Sequence, residues 1–250
     1  MIGPRRIAVL LFCLPALLGQ ERPSSTDRVG AKIWVGRHQE IEDYLRTADC
    51  VSMETFGPNR ARCILRPGGP VARMAWKTLP PGVYRGFRES YKAEIAAYEL
   101  DKLLKLDMVP PSVERQLEGK TGAAQLWVEN IVDLKANPSP GASTRAEWET
   151  QLVRMTMFDD LMGNRDRNQA NTVHDRSWNL ILLDHSRAFP ASAELPTKLT
   201  RIDVTLWNQI ENLTRAQLDA ALQTWLSADE IQAVLDRREK MKAEIRVLPK

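Results

Sequence analysis

The stretch MGNRDRNQANTV, residues 162–173, sets two arginines, one aspartate and three asparagines into an otherwise apolar neighbourhood. Counted from Asp166, Asn171 lies five residues on and Asp184 eighteen residues on, at the tip of the apolar run NLILL. A helix ending at Gly163, a short polar loop and a hairpin would bring these three to one edge, where two of them could clamp a hard divalent cation. Type and spacing match the machinery of phosphoryl transfer: a loop Asp that accepts the hydroxyl proton, with an Asn five residues later and a strand-end Asp to hold the metal. Acceptor-only groups suit that reaction, because its metal bridges phosphates and offsets the charge that develops on them. The same chemistry needs a cation on the phosphates and an acid to hold that cation. Upstream, Lys77 ends the run VARMAWK, and Glu94 lies in the first half of a helical segment, with Glu89 a competing acid nearer its start. Singly, Lys77 reads as a surface lysine, Asp184 as a turn former and the polar stretch as caps and turns; their coincidence favours the chemical reading.

The elements that must position these residues follow from periodicity. HQEIEDYLRTA (38–48) spaces Ile41 and Leu45 as a helix does, and CVSMETF, RARCIL and VARMAWK alternate as strands separated by the turns GPN and RPGGP. After a PPG turn, Glu89–Leu106 carries an apolar stripe of Ile95, Ala96, Ala97, Leu100, Leu103 and Leu104, and stops before Pro110 and Pro111. VPPSVERQ and AAQLWVENIV read as two more strands, and ANPSPGAS as a loop between lobes. The rest is mainly helical: three capping boxes, at Thr144–Glu147, Thr214–Gln217 and Ser227–Glu230, announce helices, and NTV, the turn HDRS and the strand WNLILLD form a compact unit. No internal repeat is evident.

The segments YKAEIAAYELDKLLKLDMVPPSVER, MTMFDDLMGNRDRN and ILLDHSRAF resemble the kinase domain of the secreted, Golgi-type casein kinase and xylosylkinase family. More distantly they are similar to HipA-type and phosphatidylinositol 3-/4-kinase-like atypical kinases. The similarity spans roughly residues 38 to 240, with the three motifs in order. It implies an α+β, bilobal protein-kinase-like fold with a small antiparallel-sheet N-lobe (about 38–130) and a mainly helical C-lobe (about 131–250). It implies ATP with Mg²⁺ or Mn²⁺ as cofactors and transfer of the γ-phosphoryl group to an unknown hydroxyl-bearing substrate. By position, Lys77 would contact the phosphates and Glu94 pair with it, Asp166 would be the catalytic base, and Asn171 and Asp184 would bind the metal. Trp127, Val128 and Glu129 resemble the connector whose backbone meets adenine, and Gly57 in TFGPN stands where a phosphate loop would. The pattern departs from the secreted kinases at Asn168 and Gln169, where they tend to carry histidines. The Asn at plus five is closer to the lipid kinases, so the acceptor does not carry over. A catalytically inactive pseudokinase acting as a binding module is the rival reading.

Bulk properties agree with a globular chain: 250 residues, 43% hydrophobic and 27% charged, are enough for one sizeable domain or two packed lobes. The formal charge of +3 arises from 35 basic and 32 acidic residues dispersed along the chain, which gives no footprint for nucleic acid or anionic lipid. MIGPRRIAVLLFCLPALLGQ has the order of a secretory signal, so residues 1–19 read as a signal peptide, 20–37 as a linker and the product as secreted or extracytoplasmic. The apolar run Ile7–Leu18 is shorter than the roughly 20 residues that span a bilayer, so a stable span is not expected; anchoring by an uncleaved N-terminus is the alternative. Cleavage would leave Cys50 and Cys63, either disulfide-bonded across a hairpin or two small buried thiols. His38, His174 and His185 lack metal-ligand spacing, and no G-x-S-x-G element is present. Trp76, Trp127, Trp148, Trp178, Trp207 and Trp225 sit among apolar neighbours and read as core.

Overall fold

The computed structural model describes residues 31–248 apart from Pro138 and Ala142; the expected signal peptide and the first part of the expected linker lie outside the described residues. The chain order is helix α1 (His38–Thr47), strands β1 (Cys50–Gly57), β2 (Arg60–Leu65), β3 (Arg73–Lys77), β4 (Gly82–Tyr84) and β5 (Phe87–Glu89), helix α2 (Tyr91–Leu104), and strands β6 (Ser112–Leu117), β7 (Lys120–Leu126) and β8 (Val132–Asp133). Helix α3 (Arg145–Met162), a 3-10 turn (Gln169–Asn171), strands β9 (Thr172–His174) and β10 (Leu180–Leu182), and helices α4 (Val204–Glu211), α5 (Arg215–Leu222) and α6 (Ala228–Ile245) complete it. This is the expected α+β division, with a five-stranded sheet first and a mainly helical part after it.

The large sheet has the order β1-β2-β3-β7-β6, with every neighbouring pair antiparallel. Side chains alternate across a strand, and β2 and β3 use this fully: Ala61, Cys63, Leu65, Met74 and Trp76 are buried on one face with Ala124, Leu126 and Val113 of the neighbouring strands. Ile41 and Leu45 of α1 complete that core. The opposite face carries Arg60, Arg62, Ala75 and Lys77, because Arg60 pairs with Lys77 and Arg62 with Ala75. Two expectations change here. Residues 31–37, read as linker, form turns whose Trp34 is wholly buried in the same core, since an apolar indole finds no better place than the face α1 covers. And the PPG turn opens a hairpin, β4–β5, whose three-residue strands are too short to show a period.

Helix α2 starts after Ser90, whose hydroxyl accepts from the Lys92 N–H at 2.9 Å, and ends at Lys105 in the left-handed region (φ 53°). Glu89 therefore belongs to β5, ahead of the helix. Ala96, Ala97, Leu100 and Leu104 of the α2 stripe pack into the helical part with Phe158, Leu161, Trp207 and Leu218, while Ile95 packs on the sheet at Ala123, so α2 serves both lobes. The boxes at Thr214 and Ser227 form, but Thr144 caps no helix N–H; its hydroxyl donates back to the Gly141 carbonyl at 3.4 Å. Cys50 and Cys63 are disulfide-bonded, with Cα atoms 5.7 Å apart, across the β1–β2 hairpin.

Candidate active site

Lys77 closes β3 on the sheet face turned away from α1, and α2 crosses that face with Tyr91 and Ile95 packed on Ala123 of β7. One turn of helix along, Glu94 is carried to the lysine: Lys77 Nζ donates to Glu94 Oε1 at 2.7 Å, and the carboxylate has no exposure. Its second oxygen, Oε2, accepts from the His185 backbone N–H at 3.0 Å. Glu94 thus ties β3 to the residue directly after Asp184. Burial pushes the Glu94 carboxyl up and the Asp184 charge adds to this, against the opposing pull of Lys77 and the His185 N–H.

Asp184 follows β10 with φ 54°, a left-handed conformation that aspartate tolerates better than most residues. Its Oδ1 accepts from the Ser186 hydroxyl at 3.0 Å and its Oδ2 lies 3.3 Å from Arg60 Nη2. Burial alone would raise its pKa; Lys77, Arg60 and the Ser186 hydroxyl outweigh that and hold the carboxyl well below the usual carboxylate range. Asn171 is opposite, because the β9–β10 pairing of Thr172 with Leu182 continues into a bond from the Leu183 N–H to the Asn171 carbonyl at 2.9 Å. Asn171 donates its Nδ2 to the Asp166 carbonyl at 3.1 Å, which orients the amide and leaves Oδ1 without a partner among the described residues. Asp166, about one-third exposed, has Oδ2 3.4 Å from Arg187 Nη1.

The density of polar groups in residues 162–173 now has a cause. Asn164 accepts from the Asp166 N–H at 3.1 Å and donates to Asp159 of α3 at 3.0 Å. Asn168 caps the 3-10 turn by accepting from Ala170 and Asn171 N–H. Arg167 makes two 2.9 Å bonds to Asp159 and also donates to the Asn171 carbonyl (2.8 Å), the Leu183 carbonyl (2.9 Å) and His185 Nε2 (3.0 Å). An acceptor at Nε2 places the imidazole proton on Nδ1, 3.8 Å from Glu94 Oε2. Burial first, then Arg167 and Lys77, push His185 far below its ordinary pKa, so the ring is neutral. Two asparagines and an arginine build the loop; one asparagine and the aspartate are presented by it.

A cavity of about 320 Å³ opens between hairpin tip and α2, with Lys77, Glu94, Asp184, Arg60 and Arg187 in its wall. Asp166 and Asn171 stand beside it. The remaining expected residues are placed elsewhere. Gly57 does not line the cavity; its backbone is ordinary and a Cβ there would meet only Arg60 Cβ at 3.9 Å, so neither conformation nor close approach requires glycine. Trp127 lies outside the wall, with its N–H bonded to the Arg73 carbonyl at 3.2 Å and its ring 5.1 Å from the Arg62 guanidinium. Val128 is buried in the sheet core, and Glu129 is engaged by Arg73 at 2.7 Å. Sequence reasoning missed Arg60, Arg167, His185 and Arg187. Arg187 had a signal, since Glu89, the rejected competitor of Glu94, is its partner at 2.8 Å.

The donor set fits a hard divalent cation held together with phosphates. Among the described residues no three His, Cys, Asp or Glu side chains are placed to hold a metal ion by themselves, so Asp184 and Asn171 would supply two oxygens, leaving the other positions to phosphate and water, as Mg²⁺ prefers.

No protein-family model matches the chain, and no curated protein matches it in sequence. Solved structures do match in shape. The Golgi casein kinase with Mn/ADP bound is 16% identical with a TM-score of 0.61, covering 83% of this chain and 75% of that one. Hydra Fam20, solved with sugar, is 15% identical with a TM-score of 0.58, covering 83% and 88%. The Helicobacter pylori proinflammatory kinase CtkA is 10% identical with a TM-score of 0.50, covering 80% and 92%.

Proposed function

The fold is kinase-like, and from it we propose that the chain is an ATP-dependent phosphotransferase that moves the γ-phosphoryl group to an alcohol acceptor with Mg²⁺ or Mn²⁺. The observation that carries this is the convergence at one cavity of residues far apart in sequence: the Lys77–Glu94 pair and Asp184 in its wall, and Asn171 beside it, with Oδ1 without a partner among the described residues. The Mn/ADP found in the Golgi casein kinase structure supports the choice of nucleotide and cation. When bound, the cation offsets the charge that develops on the transferred group. Lys77 positions the phosphates and is held there by Glu94; Asp184 and Asn171 hold the cation. Asp166, held by Arg187, orients the acceptor hydroxyl and takes its proton. The disulfide favours an oxidising compartment, in line with an exported protein, and among the described residues no helix is long and apolar enough to cross a membrane.

The test is γ-labelled ATP with Mn²⁺, scored for autophosphorylation and against protein serine, sugar and lipid acceptors, comparing wild type with Asp166→Asn. Transfer that the substitution lowers by about 10²-fold or more supports the reading. Wild type that binds ATP yet transfers nothing to any acceptor or to water is a binding module instead.

A further inference from the structure

The β1–β2 hairpin beside the cleft is built unlike a phosphate-binding loop. Such loops present converging backbone N–H groups and use glycines to bring the main chain close to the anion. Here only Pro58 and Asn59 connect the Gly57–Arg60 pair. Pro58 has no N–H to offer, and Gly57 has an ordinary conformation with nothing close enough to require glycine. What the hairpin does deliver is a side chain. Arg60 pairs with Lys77 across β2 and β3, so both leave the same face of the sheet, and its Nη2 lies 3.3 Å from Asp184 Oδ2. Stability does not account for it: the Arg60 side chain is 53% exposed, and an exposed ion pair contributes about 0–1 kcal/mol. Of the other cations in the cavity wall, Lys77 is committed to Glu94 and Arg187 to Glu89 and Asp166, while Arg85 of the β4–β5 turn contacts neither Asp184 nor any other acid among the described residues. Arg60 rests on the one carboxylate that the proposed reaction assigns to a metal.

We propose that Arg60 is a phosphate-positioning residue: its guanidinium supplies the anion contact that a glycine-rich loop makes through its backbone, and it neutralises Asp184 until nucleotide and cation arrive. The proposal rests on the phosphotransferase reading and deepens it. A guanidinium suits the role because its fork of donors meets two phosphate oxygens at once, and a lysine matches only the charge.

The experiment is calorimetric titration of the full chain, as wild type, Arg60→Ala and Arg60→Lys, with Mn²⁺ alone and with adenosine, ADP and ATP in its presence. We expect Arg60→Ala to weaken ATP and ADP by about tenfold or more, the scale of one charge-assisted hydrogen bond, with adenosine within about twofold. Mn²⁺ alone should bind Arg60→Ala more tightly than wild type, since Asp184 has lost its counter-ion, and Arg60→Lys should recover part of the phosphate affinity. A general packing defect would weaken all ligands together. Equal losses for adenosine and ATP, or no loss for ATP where wild type binds it, overturn the proposal alone. A wild type that binds no nucleotide overturns the phosphotransferase reading, and this proposal with it.

Discussion

Arg167→Ala should be among the most damaging single changes outside the apolar core. The guanidinium side chain is 11% exposed and its partner Asp159 is 6% exposed. Truncation leaves that carboxylate with the Asn164 amide at 3.0 Å in place of two further charged bonds, and strips a donor from the Asn171 and Leu183 carbonyls and from His185. Removing one partner of a buried, hydrogen-bonded pair costs about 3–5 kcal/mol, because the other charge is left uncompensated. For a chain of this size each kcal/mol moves the midpoint by about 2–4 °C, so the melting temperature should fall by about 6–20 °C. Removing both charges with apolar side chains, as in Arg167→Met with Asp159→Leu, should restore much of the loss. Urea denaturation and thermal melts followed by circular dichroism measure both. The double variant should regain stability without regaining Mn²⁺-dependent nucleotide binding, since the Asn171 and Leu183 carbonyls, at the two proposed metal ligands, still lack their donor. A single variant within about 1 kcal/mol of wild type, or a double variant less stable than the single, refutes the argument.

Two further predictions concern a buried acid near the end of α2 and a glycine beside Lys77. Asp101 is wholly buried, accepts from the Met108 and Val109 N–H groups through Oδ1, and is pushed up to about 7 by burial, against those two bonds and Lys32. The folded state therefore keeps a proton that the unfolded chain releases near 3.8, so this group's contribution is complete below pH 4 and is lost as pH rises to 7. Melts from pH 5 to 8 should show wild type losing ground to Asp101→Asn as pH rises; a constant difference counts against it. Gly122 presses on the strand that carries Lys77, where an added Cβ would lie 2.4 Å from the Lys77 carbonyl oxygen. Gly122→Ala should cost about 1–3 kcal/mol and weaken nucleotide binding, whereas Gly57→Ala should stay within about 0.5 kcal/mol in the same melts.

What the sequence disclosed and what it withheld divide along physical lines. Strands and helices with a sustained period, such as β2, β3 and α2, were legible, and so were Lys77, Glu94 and Asp184 as residues that the fold brings to the wall of one cavity. Elements without a period were not: β4 and β5 hold three residues each, and the apolar run before Asp184 pairs only over Leu180–Leu182 because β9 is equally short. Trp34 was hidden because its burial depends on α1 and the sheet meeting over it. Pairings were harder still. Glu89 and Glu94 both lie near a helix start, and only the fold sends one to Arg187 and the other to Lys77. Arg60 could not be read as part of the site, since its position follows from the β2–β3 register. Thr144 matched the capping-box pattern, but its backbone sits in the helical region and the hydroxyl turns to Gly141.

The central claim is that Lys77, Glu94, Asn171 and Asp184 surround one nucleotide and one cation. Electron paramagnetic resonance of Mn²⁺ added to the full chain, with and without ATP, tests it most directly. The account predicts protein-bound Mn²⁺ that ATP strengthens and that Asp184→Ala abolishes. Binding of Mn²⁺ with ATP that is unchanged in Asp184→Ala would contradict it.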